Sequence, residues 1–158
     1  MKPNSDKRKP NVIVWDGIQY EPGTIKAIAR KDGKVYAQHQ LETAGKAVKL
    51  MMETENADWK ADGMGLQYVK VYAVDSKGRV VPTSEGKVTF NVEGPARIIA
   101  VDNGNHSSDD LFDGNEKDLY EGFAMAILRS SKDQAGKVKI TATCDGLKSV
   151  TKTVMTKN

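Results

Sequence analysis

The sequence has little cysteine and little histidine, which limits the chemistry it can support. Cys144 is the one cysteine, and His39 and His106 are the two histidines. A single cysteine cannot form an internal disulfide, so it neither requires nor excludes an oxidising compartment. The three residues lie in separate segments that lack the ligand spacing of a zinc site. We therefore expect no metal and no cofactor, and we interpret Cys144 in "KVKITATCDG" as a half-buried small side chain.

Long apolar runs are absent as well. No run approaches the roughly 18 apolar residues that a membrane-spanning helix needs. The start, "MKPNSDKRKP", lacks the apolar core of a signal peptide. It carries Lys2, Lys7, Arg8 and Lys9 against Asp6, which accounts for the whole formal charge of +3. No basic stripe with interleaved aromatic residues follows. We expect neither a membrane nor a nucleic acid as partner.

The chain is instead rich in short segments typical of β-strands. "NVIVWDG", "GTIKAIARKDGK" and "KVYAQHQLET" form a first unit, residues 1–45, and Asp32-Gly33 predicts a hairpin between the last two. Six or seven further strands follow in residues 46–158, separated by turn formers such as "ADGMG" and "DSKGR". This pattern predicts an all-β fold, in which a partial small β-sheet unit precedes an immunoglobulin-like antiparallel β-sandwich. Three strands alone leave an apolar face uncovered in the first unit.

Alternating apolar residues predict the core of the second unit, because successive side chains of a strand point to opposite faces. The expected core residues are Val69, Val71, Ala73, Val88, Phe90, Val92, Ile98, Ala100, Ala124, Ala126, Leu128, Val138, Ile140 and Ala142. Burying each large apolar side chain contributes roughly 1.5–3 kcal/mol. Such a set can hold a sandwich of the predicted size.

The stretch "AVDNGNHSSDDLFDGNEKDLYEG", Ala100 to Gly122, concentrates acidic residues and turn formers. Counting from Asp102, it does not match the helix–loop–helix calcium pattern, although an irregular cation site from Asp109, Asp110 and Asp113 stays open. Paired glycosidase carboxylates need an apolar setting for one acid, and this segment offers little apolar surface. Adjacent residues of "NHSSDD" cannot converge as a triad. A solvated polar loop is the favoured interpretation.

Aromatic residues are scattered rather than arranged in a row. Trp59 lies in the polar segment "ENADWKADG", and it is the aromatic residue that we expect to be exposed. It is our one candidate for a carbohydrate contact, and the alternative is a packing role.

Two longer segments resemble a known family. The first contains Tyr20-Glu21-Pro22-Gly23-Thr24-Ile25-Lys26-Ala27, then a hairpin, then Glu42-Thr43-Ala44-Gly45. The second contains "KADGMGLQYVKVYAVDSKGRVVPTSEGKVTFNVEGPARIIAVDNGN" and "GFAMAILRSSKDQAGKVKITATCDGLKS". They resemble the joint between the last two β-domains, and the terminal immunoglobulin-like domain, of glycoside hydrolase family 2 enzymes of the β-galactosidase type.

The resemblance implies a C-terminal fragment. Residues 1–45 would be a partial immunoglobulin-like unit whose N-terminal strands are missing, with "KPNSDKRKPN" as a loop, and residues 46–158 a complete sandwich. The catalytic barrel and its two glutamates would lie outside the chain, so no catalytic residue is assigned. Within the acidic stretch, Asp102, Asn103 and Asn105 would bond to the backbone in turns. Leu111, Phe112 and Phe123 would anchor the loop.

The role implied is that of a non-catalytic structural domain in a periplasmic or secreted enzyme. Its partners would be the catalytic and other β-domains of that enzyme, and the truncated first unit could also associate with a second copy. A carbohydrate-binding module of the same enzyme is the alternative, and an independent hydrolase is a third hypothesis.

Overall fold

The computed structural model describes Asn4–Ser5 and residues 12–158. It divides into two compact units, Met1–Thr43 and Ala44–Asn158, with the division two residues before the one we expected. The strands are β1 (Asn4–Ser5), β2 (Ile13–Val14), β3 (Thr24–Lys31), β4 (Lys34–Glu42), β5 (Lys49–Thr54), β6 (Leu66–Val74), β7 (Lys87–Glu93), β8 (Ala96–Asp102), β9 (Glu116–Asp118), β10 (Phe123–Ser130), β11 (Gly136–Cys144) and β12 (Leu147–Thr156). Among the described residues, none forms a helix able to cross a membrane.

The described residues of the first unit form two strand pairs. The antiparallel strands β3 and β4 meet at a turn in which Asp32 and Gly33 have φ of 51° and 77°, as a two-residue hairpin loop requires. The predicted hairpin is therefore confirmed. Strand β1 pairs with β2, so Asn4–Ser5 is a strand and our interpretation of that stretch as loop is wrong there. The remainder of that stretch lies outside the described residues.

The second unit forms one hydrogen-bonded sheet in the order β8-β10-β6-β5-β12-β11-β7-β9. All neighbours are antiparallel except β5 and β12, which meet in parallel at a single pair, Lys49 and Lys148. The sheet therefore has two four-stranded halves joined at one point. Buried side chains of both halves belong to one apolar cluster, so the halves pack face to face. This confirms the all-β, immunoglobulin-like fold class.

The core follows the predicted alternation along most strands. The residues with no exposed surface include Val69, Val71, Ala73, Val88, Phe90, Ala124, Ala126, Leu128, Val138, Ile140 and Ala142. Val92 and Ile98 are partly buried against them.

Strand β8 departs from the predicted alternation. Val101, not Ala100, is fully buried there. The pairing with β10 shifts between Ile127 and Leu128, so that Ile127 faces Ala100 and Leu128 faces Ile98. The extra residue of this β-bulge changes which side chains face inward. Our placement of Ala100 in the core is therefore wrong.

Candidate functional site: the Trp59 loop and the Asp102–Asp118 loop

Trp59 is completely buried, contrary to our expectation. Its indole Nε1 donates a hydrogen bond to the carbonyl oxygen of Gly65 at 2.9 Å, and its side chain belongs to the core of the second unit. A ring that stacks on a sugar must present a face to solvent. The buried indole has no such face, so the expected exposure of Trp59 is wrong and the structure gives its candidate carbohydrate contact no support.

The loop around Trp59 is held by side-chain bonds to its own backbone. Gln67, also without exposed surface, accepts hydrogen bonds from the N–H groups of Glu55 and Asn56 and donates to the carbonyl oxygen of Asn56 at 2.7 Å. Asp62 accepts from the N–H groups of Met64 and Gly65. These bonds satisfy backbone groups where strand pairing stops. Segment 55–65 is therefore an ordered loop that places the indole in the core.

The turns after β8 form as the sequence indicates. Asp102 Oδ1 accepts from the N–H of Asn103 at 2.7 Å and of Gly104 at 3.0 Å. Asn103 Oδ1 accepts from the N–H of Asn105, and Asn105 Oδ1 accepts from that of Ser107. The predicted role of Asp102, Asn103 and Asn105 in turns is confirmed. Three side chains within four residues make such bonds, which give the start of the loop a fixed course.

The anchors of the loop differ from the predicted ones. Leu111 is 75% and Phe112 60% exposed, so neither side chain is tucked into the sandwich. The backbone is held instead, because the carbonyl oxygen of Phe112 accepts a hydrogen bond from the N–H of Val101 at 2.7 Å. Phe123 does pack, with its ring 5.4 Å from that of Tyr72. The expectation for Leu111 and Phe112 is wrong, since backbone groups hold this part of the loop.

Lys117 is the anchor that sequence reasoning missed. Its residue exposure is only 4%, and its Nζ donates to the carbonyl oxygen of Leu111 at 3.4 Å. The same Nζ lies 3.8 Å from Asp110 Oδ2 and 5.4 Å from the centre of the Phe112 ring. A buried ammonium group needs such partners. The available signal was the position of Lys117 in β9 between two exposed acidic residues, where the alternation points it inward.

The carboxylates of the loop do not converge. Asp110 is engaged with Lys117, while Asp109 and Asp113 are exposed. Across the described residues, no group of three or more histidine, cysteine, aspartate or glutamate side chains is placed to hold a metal ion. The described loop therefore offers single, separate carboxylates.

The most strongly perturbed carboxyl group belongs to Asp75, which is 1% exposed. The N–H of Gly45 donates to its Oδ2 at 2.9 Å, and Arg79 Nε donates to the same atom at 2.7 Å. The N–H groups of Lys77 and Arg79 donate to Oδ1. These hydrogen bonds, that of Gly45 foremost, hold the pKa of Asp75 far below its usual range. Asp75 is thus ionised at neutral pH, and its hydrogen bond with Gly45 fixes the start of the second unit.

Cys144 lies in the core, and burial raises the pKa of its thiol. The thiolate, which is the nucleophilic form, is correspondingly disfavoured.

An open cleft of about 400 Å³ lies in the second unit. Its lining includes Gly45, Ala47, Val81, Ser84 and Leu147 together with the exposed carboxylates of Glu85 and Asp145. A general acid of a glycosidase needs an apolar setting, which an exposed carboxylate lacks.

Comparison with known proteins places this geometry in a family. Residues 50–153, more than half of the chain, match the family described as glycoside hydrolase family 2 C-terminal domain 5. The β-galactosidase BoGH2A of Bacteroides ovatus is 36% identical over 136 residues, which are 86% of this chain and 16% of that protein. A β-glucuronidase of Formosa agariphila is 32% identical over 155 residues, which are 96% of this chain and 15% of that protein.

A solved structure agrees in sequence and in fold. The crystal structure of a glycosyl hydrolase family 2 member from Bacteroides cellulosilyticus is 31% identical and superposes with a TM-score of 0.88. The match covers 97% of this chain and 20% of that one. The chain thus spans about one sixth of the curated relatives and one fifth of the solved relative. It belongs to glycoside hydrolase family 2, as part of the C-terminal β-region that includes domain 5.

Proposed function

We propose that this chain is a non-catalytic structural region of a bacterial family 2 glycoside hydrolase, either periplasmic or secreted, that acts on β-galactosides or β-glucuronides. The observation that carries the proposal is that the two matches cover 86% and 96% of this chain but only about one sixth of each relative. Most of each relative, with room for a catalytic domain, therefore lies outside the matched region. The substrate class follows the names of those relatives.

The ionisation of the acidic side chains supports a structural role. Asp58 has a pKa lowered chiefly by its hydrogen bond with Lys157, and Asp62 has one lowered by the N–H groups of Met64 and Gly65. The pKa of Asp75 is lowered by Gly45. A catalytic acid in a glycosidase needs the opposite shift, because it must hold its proton near neutral pH. These three carboxylates serve the fold.

The domain organisation belongs to the same proposal. Residues 46–158 are a complete immunoglobulin-like sandwich, and residues 1–45 are part of a second one. Every residue of β3 and β4 is exposed, and Ile25 and Leu41, at 55% and 63%, face each other on one side of the hairpin. An isolated two-stranded hairpin is marginal in water. Further strands of the enzyme would cover this face, and a second copy is the competing occupant.

The test of the proposed function uses the purified 158-residue chain. We expect no hydrolysis of aryl β-galactosides or aryl β-glucuronides above the level of a buffer blank. Hydrolysis that rises in proportion to the chain, and that survives repurification from a host lacking these activities, would overturn the proposal.

Carbohydrate binding is tested on the same sample. An NMR titration with galactose, lactose and a polysaccharide panel should leave the amide resonances of Trp15, Trp59 and residues 100–122 in place. Saturable, localised shifts would replace the structural role with that of a carbohydrate-binding module. We expect no chemical-shift changes at Trp59 because its indole is buried and cannot stack on a sugar.

A further inference from the structure

The loop between β8 and β9 exposes two large apolar side chains that are adjacent in sequence. Leu111 is 75% and Phe112 60% exposed, which we call the Leu111–Phe112 tip. Single exposed apolar residues are normal on protein surfaces, whereas two adjacent ones within a loop of the second unit expose a larger apolar area. The tip therefore has the character of an interaction surface.

The tip is held in place by its supports. Phe112 O accepts from the N–H of Val101 at 2.7 Å, and Leu111 O accepts from the buried Nζ of Lys117 at 3.4 Å. At the base of the loop, Asn103 Nδ2 donates to the carbonyl oxygen of Asp118 at 2.9 Å. A surface that is already ordered loses little conformational entropy when it binds. The supports hold backbone carbonyl oxygens, so the exposed parts of both side chains remain available to a partner.

Charge restricts the partner. Segment 102–118 carries six carboxylates against the single amine of Lys117, a formal charge of −5, in a chain whose formal charge is +3. Asp109 and Asp113 flank the tip and are exposed. Two copies meeting tip to tip would bring like charges together, which opposes a two-fold contact. The complementary surface is an apolar socket bordered by lysine or arginine.

A carbohydrate fits the tip less well than a protein does. Lys117 Nζ lies over one side of the Phe112 ring at 5.4 Å, and the neighbouring Leu111 side chain offers no hydrogen bond to a hydroxyl group. Asp109 and Asp113 can accept hydrogen bonds from hydroxyl groups, but the Phe112 ring has Lys117 on one side, whereas an exposed leucine and phenylalanine fit an apolar pocket in a protein.

We propose that the Leu111–Phe112 tip docks into an apolar socket with a basic rim on another domain of the same hydrolase, in a part of that polypeptide outside residues 1–158. This rests on the proposed function, since it requires the chain to be one region of a longer enzyme. Docking buries both side chains and sets Asp109 and Asp113 against the cations of the rim. The loop then fixes the second unit to the rest of the enzyme.

The first test compares hydrogen exchange of residues 105–115 in the 158-residue chain and in the full hydrolase that carries it. We expect exchange at least about tenfold slower in the full hydrolase, because docking shields the loop. Leu111→Ser should abolish the difference while leaving the thermal midpoint of the 158-residue chain unchanged. Met64→Ser is the matched control, since Met64 is 74% exposed in another loop. Equal exchange of the wild-type segment in both proteins would overturn the proposal.

The second test addresses the basic rim. The double variant Asp109→Lys, Asp113→Lys should lose the slowed exchange in the full hydrolase, and Glu85→Lys, at an exposed site elsewhere, should retain it. Retention by the double variant would contradict the basic rim. If the chain forms concentration-dependent dimers and Leu111→Ser dissociates them, a second copy occupies the tip and the proposal is overturned. Sugar-induced NMR shifts at Phe112 would overturn it in favour of a carbohydrate. Inactivity of the full protein on aryl glycosides with the loop still protected would refute the proposed function alone.

Discussion

The indole of Trp59 donates its only N–H to the carbonyl oxygen of Gly65, and no part of the ring reaches solvent. A side chain at Gly65 would crowd this contact, because a Cβ there would lie 2.8 Å from the carbonyl oxygen of Lys60 and 3.2 Å from Trp59 Cδ1. The buried position of the tryptophan therefore depends on glycine at position 65.

Trp59→Phe should lower the free energy of unfolding by about 1–3 kcal/mol, because it removes ring volume and one of the two hydrogen bonds to the Gly65 carbonyl oxygen, which keeps only the N–H of Ser130. Urea denaturation followed by circular dichroism measures the change. Trp15→Phe, at a residue 41% exposed, should change it by less than about 0.5 kcal/mol. Trp15→Phe also leaves Trp59 as the sole tryptophan, whose fluorescence should resist iodide quenching. Strong quenching would contradict its burial.

Gly122 should not tolerate alanine. A Cβ at this residue, which has φ of 72°, would overlap the carbonyl oxygen of Val81. We expect Gly122→Ala to destabilise the chain by roughly 3 kcal/mol or more, since both backbone strain and overlap arise. Gly146→Ala is the control, because Gly146 has φ of 75° but nothing within 4 Å of its Cβ position. That variant should lose only about 1 kcal/mol. Equal thermal midpoints for the two variants would refute the role of the overlap.

Ser130 offers a stabilising substitution. Its Oγ is buried and has no hydrogen-bond partner in the described part of the chain. Ser130→Ala removes that cost and should leave stability unchanged or raise it by up to about 1 kcal/mol. Thr156→Val is the contrast, since Thr156 Oγ1 accepts from the N–H of Gly136 at 2.9 Å and donates to the carbonyl oxygen of Gln134. It should cost about 1–2 kcal/mol. The urea midpoints of the two variants and the wild type measure these changes. A Ser130→Ala variant less stable than the wild type would show that Ser130 Oγ has a hydrogen-bond partner after all.

Asp75 should make stability fall in acid. Its pKa in the folded chain lies below that in the unfolded chain, so its contribution is complete above the ordinary carboxyl pKa of about 4 and declines as the pH falls further. Asp75→Asn should therefore be most destabilising at pH 7, and the difference from wild type should shrink at pH 3. Denaturation at both values measures this, with Asp145→Asn as the control at an exposed carboxylate. If the difference in free energy of unfolding between wild type and Asp75→Asn grew on acidification, the prediction would be contradicted.

The predictable parts of this fold were local. The Asp32-Gly33 turn needs positive φ at two adjacent residues, and the Asp-Gly pair is a direct sequence signal for such a turn. Likewise, alternation along β6, β10 and β11 is enough to identify inward-facing side chains, because the period of a strand is two. No tertiary information is needed for either prediction.

The errors came from contacts distant in sequence or from broken register. The polar neighbours of Trp59 describe the surface of its loop, but its burial depends on the core into which the loop inserts it. In β8, one extra residue between Ile98 and Ala100 changes which side chains point into the core, and no sequence pattern marks this β-bulge. Lys117 was missed because lysine is rarely buried, and its partners come from the preceding loop.

The parallel contact between β5 and β12 has a mechanical consequence. The start of β5 lies beside the start of β12, and the N–H of Lys148 donates to the carbonyl oxygen of Val48. Near the other end of β12, Lys157 exchanges backbone hydrogen bonds with Trp59 and Ala61. Tension applied between Ala44 and Asn158 would pull these parallel segments in opposite directions along their length. The attachments would then be loaded together in shear instead of being unzipped one by one.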